Sequence, residues 1–170
     1  MIELDNRQKA EFWHRSYAAV DGLWFMKVEE KYGFDASLDV DNEVWKILPK
    51  IQARTLRALG EIKDGIGGLF ECLTTKLHLE GFAFKAERDG DGAGFKIIIS
   101  RCPWHDLMVK SQREELSGKV GSLICNTEYS VWAGEFGDGI SFKLEDRICE
   151  GSESCVLCFA SATNHTPGEG

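Results

Sequence analysis

Six cysteines stand in the 170-residue chain, and five of them, Cys102, Cys125, Cys149, Cys155 and Cys158, lie beyond residue 100. Thiolates hold zinc and iron–sulfur clusters, and both centres accept sulfur ligands gathered from separate segments. Cys155 and Cys158 have the two-residue spacer that lets two thiolates grip one ion. Cys102 and Cys149 each end a predicted strand, and Cys125 opens a predicted helix, so converging element ends would bring the thiols together. The expectation is a zinc ion or an iron–sulfur cluster. Two other readings stay open, buried cysteines that only pack and redox chemistry. The second fits less well, because an active CxxC normally opens a helix that lowers the thiol pKa, and here an apolar strand-like run follows. Cys72 stands apart beside an apolar stripe and reads as a small core residue. His105, three residues after Cys102, is a further ligand or acid–base candidate, with an exposed first-turn histidine as the plainer reading.

Some polar residues fall on apolar faces. Asp21 is four residues after Tyr17 and three before Trp24, which puts a carboxylate on the buried side of a helix, and an unpaired buried charge is costly. His14 lies two turns earlier on the same flank, and Arg54 is the natural counterion. Either Asp21 and Arg54 brace two helices, or His14, Asp21, Trp24 and Arg54 line a ligand pocket. Glu128 and Tyr129 follow Cys125 by three and four residues, so Glu128 shares a helix face with that thiol. It could serve as general base on a metal-bound water, support the ligands, or be a solvated surface residue. Trp13, Trp24, Trp45, Trp104 and Trp132 suit a pocket for a flat ligand, and core packing equally. Gly65, Gly67 and Gly68 could cradle a phosphate, although neither a preceding strand nor the usual lysine is present.

The elements that must position these groups are helical first and mixed later. Trp13, Tyr17, Val20, Trp24 and Val28 make one helical stripe over residues 5 to 31, ended by Gly33. A second helical stretch, 38 to 59, contains Pro49, which should kink or break it. A third runs from 66 to 80, with Leu69, Phe70, Leu73 and Leu77 in helical spacing. Residues 82 to 100 alternate around the turn-rich ERDGDGAG and predict a hairpin. Pro103 and Asp106 suit the start of a helix ending near Gly118, and a separate helix is predicted over 122 to 136. Strands follow at 140 to 144 and 156 to 161. The reading is one α+β domain in which N-terminal helices (1 to 81) pack on a small antiparallel sheet of about four strands in a mixed, cysteine-containing part (82 to 163), with a loose tail at 164 to 170.

Composition narrows the function. With 43% apolar and 28% charged residues the chain can bury a core, which excludes disorder and fibre. Its 20 basic and 28 acidic residues leave a formal charge of -8, a field that repels nucleic acid. No apolar run approaches the roughly 20 residues that span a bilayer, and the N-terminus is not signal-like. The expected setting is cytoplasmic, where thiols stay reduced, with neither nucleic acid nor membrane as partner.

The segments SYAAVDGLWFMKVEEKYG, DNEVWKILPKIQARTLRALG, RCPW, LICNTEYSVWAG and RICEGSESCVLCF together resemble an uncharacterised group of bacterial and archaeal proteins. That group is related to the L-2-amino-thiazoline-4-carboxylic acid hydrolase family and, more distantly, to the vinyl reductase-like small-molecule-binding domain. The resemblance covers nearly the whole chain and implies an α/β fold with helices against a small antiparallel sheet. It also implies pattern positions at Cys102, Cys125, Cys149 and either Cys155 or Cys158, with Asp21, Trp24 and Glu128 as companions.

The leading expectation is therefore a cysteine-ligated metalloprotein with a small-molecule pocket. As an enzyme it would be a metal-dependent hydrolase of a small C–N bond, an amide or cyclic amidine, with Glu128 or Asp21 as base. A closed four-thiolate site would argue against that mechanism. The alternatives are a non-catalytic small-molecule sensor with a structural metal, and a partner-binding protein that forms a homodimer through exposed aromatic surface.

Overall fold

The computed structural model describes residues 1–162, and the predicted tail at 164 to 170 lies outside them. The chain divides into two compact units, Met1–Val44 and Trp45–Gly170. The boundary falls near the end of the second helix.

The first unit holds two consecutive helices. Helix α1 (Asn6–Tyr32) opens with a reciprocal capping box in which Asp5 accepts the Gln8 amide and the Gln8 side chain accepts the Asp5 amide. It stops at Gly33, whose φ of 88° is a conformation that favours glycine. Helix α2 (Phe34–Trp45) follows at once, and Phe34 packs edge-on against Phe25 of α1. The chain then breaks where Pro49 requires it, and helix α3 (Leu48–Gly60) begins with that proline in its first turn.

In the second unit, α3 is followed by helix α4 (Ile66–Leu79), strands β1 (Ala83–Arg88) and β2 (Gly94–Arg101), helix α5 (Pro103–Lys110), helix α6 (Glu114–Phe136), strand β3 (Ile140–Leu144), a 3-10 turn (Ile148–Glu150) and strand β4 (Cys155–Ser161). The four strands form one antiparallel sheet in the order β1-β2-β4-β3, so the last strand to be made lies inside the sheet. One sheet face supplies Phe95, Ile97, Ile99, Leu157 and Phe159 to a core completed by Leu69, Leu73 and Leu77 of α4 and Tyr129, Trp132 and Phe136 of α6. This is the expected α+β architecture of helices on a small antiparallel sheet. No described helix is long and apolar enough to cross a membrane.

One boundary differs from the sequence reading in a way that bears on the cysteines. The helix expected to end near Gly118 stops at Lys110, Gln112 takes a left-handed turn with φ 59°, and α6 then runs unbroken through Gly118 and Gly121. These glycines do not stop a helix. A Cβ on Gly118 would stand 3.2 Å from the Cys149 carbonyl oxygen, and one on Gly121 would stand 2.7 Å from Cys149 Sγ. They let the 3-10 turn lie directly on α6.

Candidate functional site

Helix α6 is the platform of the site, because α5 and the 3-10 turn both pack on it. Cys102 is the N-cap position of α5, Cys125 lies in the middle of α6, Cys149 lies in the 3-10 turn and Cys155 opens β4. The fold brings these four thiols into one neighbourhood. Cys149 Sγ and Cys125 Sγ are 2.7 and 3.9 Å from the point where Gly121 would carry a Cβ. Burial raises the Cys125 thiol well above its ordinary value although part of its surface is exposed, and Glu128, Cys102, Cys155 and Cys149 all push it further up. Burial lifts Cys102 to about 11, with the charges of Cys155 and Glu128 adding to the rise. Cys149 and Cys155 are also raised, in both cases mainly by burial, and Cys155 in turn raises Cys149.

Backbone amides work in the opposite direction. The Ile148 N–H donates to Cys155 Sγ at 3.2 Å. The amides of His105 and Trp104 act to lower Cys102 without making a side-chain capping hydrogen bond. Amide donors aimed at sulfur favour its charged form, the form that binds metals. Among the described residues, no group of three or more His, Cys, Asp or Glu side chains is arranged to hold a metal ion as it stands.

The other two cysteines are elsewhere. Side chains three apart on a strand face opposite ways, so Cys155 packs against the core while Cys158 lies on the outer sheet face. There the register places Cys158 between Lys96 of β2 and Lys143 of β3. The two-residue spacer therefore does not aim both thiols at one ion. Cys72 is buried in the core on α4.

Beside the thiols lies a buried charge cluster. Glu128, one helical turn beyond Cys125, hydrogen-bonds the Lys76 ammonium, which also pairs with Glu80 at 2.9 Å. Glu80 accepts the Gln52 amide at 3.2 Å. The Lys76 nitrogen sits 5.4 and 5.8 Å from the ring centroids of Phe82 and Tyr129. Burial works to lower the Lys76 pKa, but the charges of Glu128 and Glu80 outweigh it and hold the ammonium charged. Burial raises the Glu128 carboxyl, against the pull of Lys76.

Sequence reasoning missed Lys76 and Glu80, yet a signal was present. Positions 69, 73, 76 and 80 follow the apolar stripe of α4, and two of them are charged. Arg147 was missed as well. It immediately precedes the 3-10 turn, and its charge acts to lower both Cys149 and Cys155.

The remaining expected site residues are not part of this cluster. His14 and Trp24 are exposed and Asp21 half-buried, all on α1 of the first unit. Arg54, in the second unit, gives two hydrogen bonds to Glu135, at 2.7 and 2.9 Å. His105 is half-buried in the first turn of α5. Gly68 makes room for the chain itself, since a Cβ there would lie 1.9 Å from the Lys63 carbonyl oxygen. An open groove of about 490 Å³ between α3 and α4 is lined by Leu56, Leu59, Ile62, Cys72 and Thr75 among others, and by none of the four clustered thiols.

A family model matches residues 8–149, well over half of the chain. The chain belongs to the DUF6125 family. That family is described as one of unknown function. Its match takes in Cys102, Cys125, Glu128 and Cys149 and ends before Cys155. Comparison with curated proteins gave no match.

Proposed function

We propose that this DUF6125 protein is a thiolate metalloprotein that holds zinc or an iron–sulfur cluster at Cys102, Cys125, Cys149 and Cys155. The observation that carries the reading is the gathering of four thiols from four separate elements onto one face of α6, with backbone amides directed at two of them. A buried sulfur that only fills space needs no such donors. Without a cation the thiols keep their protons. A metal ion supplies the positive charge that lets them ionise together.

Four thiolates fill a tetrahedron and leave no position for water, so the centre reads as structural or electron-carrying rather than hydrolytic. In this reading Glu128 is not a base acting on water. Its carboxylate is held by Lys76, one turn away from the nearest thiol. A reducing, cytoplasmic setting that keeps the thiols free belongs to the same proposal.

The test is metal analysis with an absorption spectrum on protein purified without oxygen. One zinc, or iron with acid-labile sulfide, per chain is expected, and Cys125→Ser should lose it. Protein that holds neither, even after reconstitution with zinc or with iron and sulfide, would overturn the proposal.

A further inference from the structure

We infer that α1 is a dimerisation helix, and that two copies of this chain pair α1 against α1, antiparallel, across an apolar face that a single copy leaves in water. The inference concerns the first unit and does not depend on the thiol centre. Helix α1 runs for 27 residues and none of them is buried. Its half-buried positions Tyr17, Asp21, Phe25 and Val28 recur at helical spacing and mark one side, where Phe25 meets Phe34 of α2. The opposite side carries Phe12, Trp13, Val20, Leu23, Trp24 and Met26, all exposed, the two tryptophans at 69% and 59%. At 3.6 residues per turn these six fall within an arc of about 160°. Over residues 12–26 the same arc holds besides them only Ser16 and Ala19, so no charge interrupts it.

The size of this face and the charges at its ends select the occupant. Together the six side chains present on the order of 800 Å² of surface. The largest apolar patch of a monomeric protein is about 300–600 Å², and a stable pair of proteins covers about 800 Å² on each partner. The face is thus too large for a chain that stays alone and suits one half of a dimer. Lys9, Ser16, Leu23 and Glu30 recur every seven residues, so they share the face, with Lys9 near one end and Glu30 near the other. A two-fold axis through the middle of α1, near Ala19 and Val20, brings each Lys9 to the second copy's Glu30 and each Ser16 to the second copy's Leu23, small against large. A parallel pair would set Lys9 on Lys9 and Glu30 on Glu30. Within one copy Glu30 pairs with Lys27 at 2.8 Å, an exposed bridge that is cheap to exchange. Residues 1–44 hold 10 acidic and 5 basic side chains, a balance that disfavours an anionic bilayer as the partner.

The experiment measures the mass of the reduced full chain by sedimentation equilibrium at micromolar concentration. The expected mass is twice the chain's 19.0 kDa. Leu23→Glu and Trp24→Glu should each weaken the pair by about 100-fold or more, as loss of a central interface contact does. Far-UV circular dichroism of both variants should match wild type, because both side chains are exposed within one copy. Lys9→Glu and Glu30→Lys should each weaken the pair by about 3-fold to 10-fold, and combining them should restore it. Wild-type protein that stays at 19.0 kDa would overturn the inference. Co-sedimentation of that monomer with neutral or anionic vesicles would then give the face to lipid, and its absence would give the face to the chain's own second unit. A dimer that survives both glutamate substitutions would place the contact elsewhere and overturn the inference as well. A double charge variant that pairs no more tightly than the single ones would overturn the antiparallel arrangement.

Discussion

Gly121 and Cys149 face each other across the junction of α6 and the 3-10 turn, with Cys149 Sγ 2.7 Å from the place a Gly121 Cβ would occupy. The absent side chain is the space in which the thiol sits. Gly121→Ala should therefore swing Cys149 away from the cluster and weaken metal binding by about 10-fold to 100-fold. The same change should raise helix propensity by up to about 1 kcal/mol, so the metal-free protein should not melt earlier. Metal titration and thermal melting of the metal-free form check the two halves. Unchanged metal affinity would show that Cys149 does not need that space.

The contrast between Gly121 and Pro49 shows what the sequence made legible. Pro49 forbids a continuous helix locally, and the chain breaks beside it. Gly121 looks like the same kind of punctuation, yet its reason is a neighbour 28 residues away, which local pattern cannot reveal. In the second unit α4, the hairpin and the sheet followed from apolar periodicity because burial on one face imposes it, whereas the stripe of α1 leaves Trp13, Val20 and Trp24 exposed and α1 has no buried residue. Most of the candidate cysteines were legible by type, and Glu128 by its spacing from Cys125. Which member of the Cys155/Cys158 pair joins the others depends on strand alternation together with knowing which face meets the core. Lys76 was hidden because a lysine on an apolar stripe carries meaning only when its two carboxylate partners are known.

Strand alternation separates Cys155 from Cys158. Cys155→Ser should lose the metal, whereas Cys158→Ser should keep it at full stoichiometry, as read by metal analysis of both variants. Loss of metal from the Cys158 variant would contradict the assignment of faces.

The buried cluster on α4 and α6 should be costly to unbalance. Lys76→Met leaves Glu80 and Glu128 without their shared cation and should destabilise the protein by about 3–5 kcal/mol in urea unfolding. Adding Glu128→Gln and Glu80→Gln to that variant should recover part of the loss. A single variant as stable as wild type would show that the cluster is not held by Lys76.

In the metal-free protein, burial raises the clustered thiols above the values they have in the unfolded chain, Cys102 from 9.0 to about 11. The folded state then binds more protons than the unfolded state at alkaline pH, so unfolding free energy falls as pH rises. The contribution of Cys102 is fully present below about pH 9 and is lost progressively towards pH 11. Chemical denaturation across that range should show the decline in wild type and a smaller one in Cys102→Ser. Equal slopes would contradict the burial of that thiol.

X-ray absorption at the edge of the bound metal tests the convergence of the four thiols most directly. The expected result for zinc is a shell of four sulfurs at about 2.3 Å, losing one sulfur in Cys149→Ser. A shell of nitrogen and oxygen, or one with two sulfurs or fewer in the wild-type protein, would contradict it.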